Sequence, residues 1–157
     1  MSSAHISVDT ALAIHQLLIN RFGGSAGVRD LDILEGILQS PYQTFGGEEL
    51  YPHIVDKAVH LCVEVIRQHP FVDGNKRVAV ALLGGLLECH GLYLVDDSTH
   101  LYNKVIGLVT HVCSIEEFTQ YVHSHLTSSL ELAHCRFQEH EKTTFLKEIP
   151  PVDAVRI

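Results

Sequence analysis

Two helical segments with wide apolar faces, residues 54–68 and 75–89, meet across the polar stretch His69-Pro70-Phe71-Val72-Asp73-Gly74-Asn75-Lys76-Arg77, and this junction constrains the fold most. In the first segment Val55, Ala58, Val59, Cys62, Val65 and Ile66 form one stripe, which Leu61 and Val63 widen. A helix apolar over that much of its circumference is buried on several sides. The second segment, Val78 to Leu87 with Gly91 as its cap, is apolar nearly all round. Its Gly84-Gly85 pair weakens a helix and reads as a close crossing with a neighbouring helix. His69 ends the first helix because a residue before proline is pushed out of the helical region.

The rest of the chain reads as further helices. Residues 7–21 place Val8, Leu12, Ile14, Leu17, Leu18 and Arg21 at helical spacing, with Ser7 as N-cap and Gly23-Gly24 as the stop. Asp30 caps a second helix with Leu31, Leu34, Ile37 and Leu38 on one face, ended before Pro41. Residues 42–51 read as an extended, hairpin-like stretch turning at Gly46-Gly47. Beyond a short extended piece at Tyr93-Leu94-Val95, residues 99–111 and 115–135 give two more helices. Ser114 and Glu117 stand at capping-box spacing. The expected architecture is all-α, with at most one small hairpin. It forms one domain over residues 1–130, followed by a loosely attached extension over 131–157.

Hydrophobic residues make up 46% of the chain and charged residues 19%, which suits a globular domain. The net charge of −8 repels a phosphate backbone, so nucleic acid is not the expected partner. The first nine residues lack the pattern of a signal peptide. The longest apolar run covers only about half the length a membrane span needs. Cys62, Cys89, Cys113 and Cys135 form no C-x-x-C pair, and Cys62 and Cys89 fall in apolar helical patterns, as buried reduced thiols do. A cytoplasmic protein is expected.

The chemistry lies in the junction. A helix N-terminus offers unpaired N–H groups and partial positive charge, and so receives phosphate. Gly74 lets an anion approach the backbone. Lys76 and Arg77 run against the acidic bias of a first helical turn, which makes sense if an anion neutralises them. Asp73 is a hard oxygen ligand suited to magnesium. His69 can take a proton near neutral pH, and Phe71 would pin the loop to the core. Separately these are a helix-end histidine, a turn and surface charge. In order, between buried helices, they are the parts of phosphoryl or nucleotidyl transfer.

His69 to Arg77 matches the Fic-family signature His-Pro-Phe-x-Asp/Glu-Gly-Asn-Gly/Lys-Arg at every defined position. Asp73 and Lys76 make it resemble the Doc (death-on-curing) branch. Ala13-Ile14-His15, Arg21-Phe22-Gly23-Gly24, Gly27-Val28-Arg29-Asp30 and Leu86-Leu87-Glu88-Cys89-His90-Gly91 also resemble Doc-like chains. The resemblance covers residues 5–126 and implies a Fic-type helical bundle. It makes His69 the general base and Asp73 the Mg2+ ligand, with Gly74, Asn75, Lys76 and Arg77 on the phosphates of ATP. Thr44, Phe45, Gly46 and Gly47 would belong to a flap that aligns a target segment by strand addition. Doc-like toxins move the γ-phosphate of ATP to a hydroxyl of elongation factor Tu and are neutralised by a Phd-like antitoxin. Fic enzymes instead transfer AMP to Ser, Thr or Tyr.

Many AMP-transferring members carry a second arginine three residues after the first. Val80 stands there, which with Lys76 favours phosphate transfer. Thr144 to Glu148 partly resembles a family inhibitory helix, but its Glu would lack that arginine as partner, so inhibition from a separate antitoxin chain is expected. Two other readings stand beside these. One is a non-catalytic interaction module on a Fic scaffold. The other is a zinc hydrolase, suggested by twelve histidines. Against it, H-E-x-x-H is absent, and His123, His125, His134 and His140 fall in a region that reads as exposed.

Overall fold

The computed structural model describes residues 5–130. Their helices are α1 (Val8–Phe22), α2 (Leu31–Gln39), α3 (Ile54–Gln68), α4 (Asn75–Glu88), α5 (Ser98–Val109) and α6 (Ile115–Ser124). Strands β1 (Thr44–Phe45) and β2 (Glu48–Glu49) form one antiparallel pair, and β3 (Tyr93–Leu94) and β4 (Leu126–Thr127) another. The fold is the helical bundle the sequence predicts. The tail from 131 onward, with its Thr144–Glu148 segment, His134, His140 and Cys135, lies outside the described residues.

α3 and α4 form the central pair. Val59, Leu61, Cys62 and Val65 from α3, and Val78, Leu82, Leu83, Leu86 and Leu87 from α4, are almost completely buried. α1, α2, α5 and α6 supply the surrounding layer through Ile14, Leu34, Ile37, Leu101, Val105 and Phe118. Burial pushes the Cys62 thiol up to about 12, so it stays a protonated core group. Cys89 is only half-buried.

The start signals hold atom by atom. The Thr10 N–H donates to Ser7 Oγ (3.1 Å), and the Ile33 N–H donates to Asp30 Oδ1 (3.0 Å). Ser114 and Glu117 complete both halves of the capping box.

Several expectations change. Leu31 is 51% exposed, so the buried face of α2 is Leu34, Ile37 and Leu38. On α1, Leu17 and Arg21 face outward, and His15 takes a buried place instead. A Cβ at Gly84 would meet nothing within 4 Å, so Gly84 itself makes no close helix crossing; Gly85 beside it is buried. α6 ends at Ser124, eleven residues earlier than the periodicity suggests, because the chain turns at His125 into β4. β4 then pairs with β3, Tyr93 opposite Thr127 and Leu94 opposite Leu126. That pairing joins residues more than thirty positions apart, beyond the reach of local patterning.

Candidate active site

The signature begins at the C-terminal end of α3. His69 has φ 47° and ψ 64°, a left-handed conformation rarely adopted by a residue with a side chain. Its N–H still donates to the Val65 carbonyl (3.1 Å). Arg29 holds the reversal in place: Nε donates to the His69 carbonyl and Nη2 to the Gln68 carbonyl, each at 2.6 Å. The fork of a guanidinium fits two adjacent carbonyls at a helix end. The backbone continues the clamp, with the N–H groups of Arg29 (2.8 Å) and Asp30 (3.2 Å) donating to the Pro70 carbonyl. The Val72 N–H donates to Gly27 (3.1 Å), and Val28 pairs with Phe71. The His69 side chain is left exposed at the end of a rigid support.

Phe71 anchors the middle of the loop, 1% exposed. His15, itself buried, stacks on its ring (centroids 4.1 Å apart, planes 12° apart). His15 Nε2 also bonds the Asp73 carbonyl at 2.9 Å. A carbonyl can only accept, so Nε2 carries the proton in this contact. Asn75 bridges across the turn: the Phe71 N–H donates to Oδ1 (3.0 Å), and Nδ2 donates to the Phe71 carbonyl (2.9 Å). The Asn75 side chain is therefore spent on shaping the loop, and what it offers an anion is its backbone N–H.

Asp73 stands where the loop meets α4. The Gly74 N–H donates to Oδ1 (2.7 Å) and the Ser25 N–H to Oδ2 (3.0 Å). The Ser25 bond first, then the Gly74 bond and the nearby Arg77 and His15, hold its carboxyl below the usual carboxylate range. It is ionised at neutral pH. With two bonds already accepted, its oxygens keep lone pairs for a cation. A Cβ on Gly24 would lie 2.5 Å from Asp73 Oδ2 and 3.2 Å from Arg77 Nη2, so glycine there lets the α1 end close over the site.

Gly74, at φ 79°, is the N-cap of α4. The first helical bond runs from the Val78 N–H to the Gly74 carbonyl (3.0 Å), leaving the N–H groups of Asn75, Lys76 and Arg77 without intrahelical partners. Lys76 is exposed beside them. Arg77 reaches back to α1, with Nη1 on the Leu18 carbonyl (3.3 Å) and Nη2 on the Gly23 carbonyl (3.0 Å), and packs over the Phe22 ring at 5.8 Å. Two of its five N–H donors are used; the others remain for an anion. A carboxylate suited to Mg2+ beside an open helix N-terminus fits a magnesium-bound polyphosphate. Val80 lies in the core, 2% exposed, so nothing basic reaches the site from that position.

The hairpin is present, pairing Thr44 with Glu49 and Phe45 with Glu48. Gly46 (φ 60°) and Gly47 (φ 83°) make the two-residue turn that suits such a hairpin. Phe45 is 81% exposed. The base of the hairpin is tied to α3 by Lys57, a buried ammonium that contacts Glu49 Oε1 (3.2 Å) and the Tyr51 carbonyl. Tyr51 stacks on His60 of the same helix at 4.3 Å. Twelve residues separate Lys57 from His69, about 18 Å along α3.

Sequence reasoning assigned no role to Arg29, His15, Ser25 or Lys57. His15 carried one signal, a polar residue on the inner face of an apolar helix. Arg29 stood only within a segment that resembles Doc-like chains, and Ser25 carried no signal, because their partners lie about forty or more positions away.

A family model described as the Fic/DOC family matches residues 5–87. The chain is 36% identical to the Toxin Doc of Mycolicibacterium smegmatis over 100 residues, which cover 60% of this chain and 75% of that protein. It is 32% identical to the Protein kinase doc of Escherichia phage P1 over 111 residues, 71% of this chain and 86% of that one. The chain belongs to the Fic/Doc family. Among the described residues no helix is long and apolar enough to cross a membrane.

Proposed function

We propose that this protein is a Doc-type toxin that transfers the γ-phosphate of ATP to a Ser or Thr hydroxyl of a target protein, elongation factor Tu by family resemblance. The observation that carries the proposal is the ionised Asp73 beside the three open N–H groups that start α4, with His69 presented at the facing helix end. A kinase is favoured over AMP transfer by the relative named Protein kinase doc and by Val80 in the core.

In this reading the N–H groups of Asn75, Lys76 and Arg77, with the Lys76 and Arg77 side chains, bind and orient the phosphates. Asp73 would hold Mg2+, which would supply positive charge to neutralise the phosphates. His69 removes the proton from the attacking hydroxyl, and Arg29 keeps its backbone in the conformation that presents the ring. The hairpin Thr44–Glu49 receives the target as an added strand. Five or six extended residues, at about 3.3 Å each, cover the distance from the base of the hairpin to His69. A Phd-like antitoxin would silence the enzyme, and an elongation-factor target would put its action in the cytoplasm.

The test is incubation with Mg2+ and either γ-labelled or α-labelled ATP, in cell lysate and with purified elongation factor Tu. Protein label from the γ position alone is expected. Label from the α position would establish AMP transfer instead. No label from either, with protein free of bound inhibitor, would leave a non-catalytic module on a Fic scaffold.

A further inference from the structure

Away from the signature, Asp96, His100 and His125 bring three ligand atoms within 4.8 Å of one another. They come from the segment after β3, the first turn of α5 and the C-cap of α6. His100 Nδ1 lies 2.7 Å, and His125 Nε2 3.8 Å, from Asp96 Oδ2. His125 was read from sequence as part of an exposed histidine region. In the fold it is half-buried, while His123 is exposed.

The hydrogen bonds fix which atoms are ligands. His125 Nδ1 lies 2.8 Å from the Tyr121 carbonyl, which can only accept, so Nδ1 carries the ring proton. The other nitrogen, Nε2, then faces a carboxylate oxygen at 3.8 Å, and a cation between them would satisfy both. A histidine whose second nitrogen donates to a backbone carbonyl is the arrangement that orients imidazole for a metal. Asp96 is held similarly: Oδ1 accepts the Asp97 N–H (2.8 Å), and Oδ2 accepts the Tyr121 hydroxyl. In a tetrahedral zinc site, bond lengths near 2.0–2.1 Å put neighbouring ligand atoms about 3.3 Å apart. The separations of 2.7 and 3.8 Å bracket that value.

We propose that Asp96, His100 and His125 form a binding site for a zinc-like divalent transition metal. Two imidazoles select such an ion over magnesium or calcium, which take oxygen ligands. Binding through His100 Nδ1, now 2.7 Å from Asp96 Oδ2, puts the ring proton of a neutral His100 on Nε2. The metal fastens the end of α6 to the start of α5 beside the β3–β4 pair, where the Val95 N–H already donates to the His125 carbonyl (2.7 Å). It is a staple for the fold, separate from the signature.

The test uses the untagged full chain, stripped with chelator, reloaded with Zn2+ and dialysed against metal-free buffer. Elemental analysis is expected to find one zinc per chain, and Co2+ in its place to give the visible absorption of a tetrahedral site. H100Q and H125Q should each abolish retention and the zinc-induced rise in melting temperature. H123Q, an exposed neighbour, should keep both. No stoichiometric zinc in the parent protein, or retention unchanged in H100Q and H125Q, would overturn the site. If either variant fails to fold, tetrahedral Co2+ absorption in the parent supports the site and its absence refutes it.

Discussion

The signature His69–Arg77 and the hairpin Thr44–Glu49 are both polar, both turn at glycines with positive φ, and both are anchored on α3. They are held in opposite ways. In the signature, Arg29, His15 and Asn75 bind the backbone from three sides, and Phe71 is buried beneath it. In the hairpin, all four strand residues are exposed, and Lys57 is the tether at its base. Transfer chemistry gains from groups fixed before the substrate arrives. A surface that receives another chain keeps its strand edges open, because those edges provide the affinity. The same helix therefore carries a rigid site at one end and an adaptable one nearer the other.

The strongest way to break this contrast is His69→Ala. It should lower transfer roughly a hundred- to ten-thousand-fold, the usual worth of a general base, while circular dichroism stays unchanged. Labelling at the parent rate would remove His69 as the base. Next is Asn75→Ala, which leaves two backbone groups of Phe71 without partners. We expect a loss of roughly 2–4 kcal/mol in denaturant unfolding, with transfer falling as the loop loosens. On the hairpin side, Lys57→Met should raise the KM for protein target several-fold with little change in kcat, separating alignment from chemistry. Gly47→Ala, which forces a side chain into positive φ, should weaken the hairpin by about 1 kcal/mol and move KM in the same direction.

The smallest effect is on stability through Asp73. Its carboxyl is depressed in the fold, so the unfolded chain takes up the proton first as pH falls. The stabilisation is complete above the ordinary carboxylate value of about 3.9 and is lost as pH drops through the lower folded value. The melting-temperature gap between the parent and Asp73→Asn should therefore be constant near neutrality and narrow below about pH 4. A gap that persists in strong acid would mean the carboxylate's bonds to Ser25 and Gly74 do not stabilise the fold.

Much of this was legible beforehand where the cause is local. Ser7, Asp30 and the Ser114–Glu117 box start helices through bonds spanning three residues, and the spacing is visible in the chain. Gly46-Gly47 marks the hairpin for the same reason. The misses are all long-range. Leu17 and Leu31 satisfy helical periodicity yet face outward, because the neighbours that decide burial lie elsewhere. The β3–β4 pairing, and with it the early end of α6, depends on segments far apart in sequence.

The sequence by itself determined the helical bundle, the order of its parts and the family, since periodicity, caps and a nine-residue signature are written in consecutive residues. Only the tertiary structure decided how the signature is held. It turned Asn75 inward, braced Arg77 on the end of α1, and brought Arg29 and Ser25 to the loop. It also gathered Asp96, His100 and His125 into one cluster. Each outcome depends on which distant groups packing brings within hydrogen-bond reach, a distance fixed by the folded core.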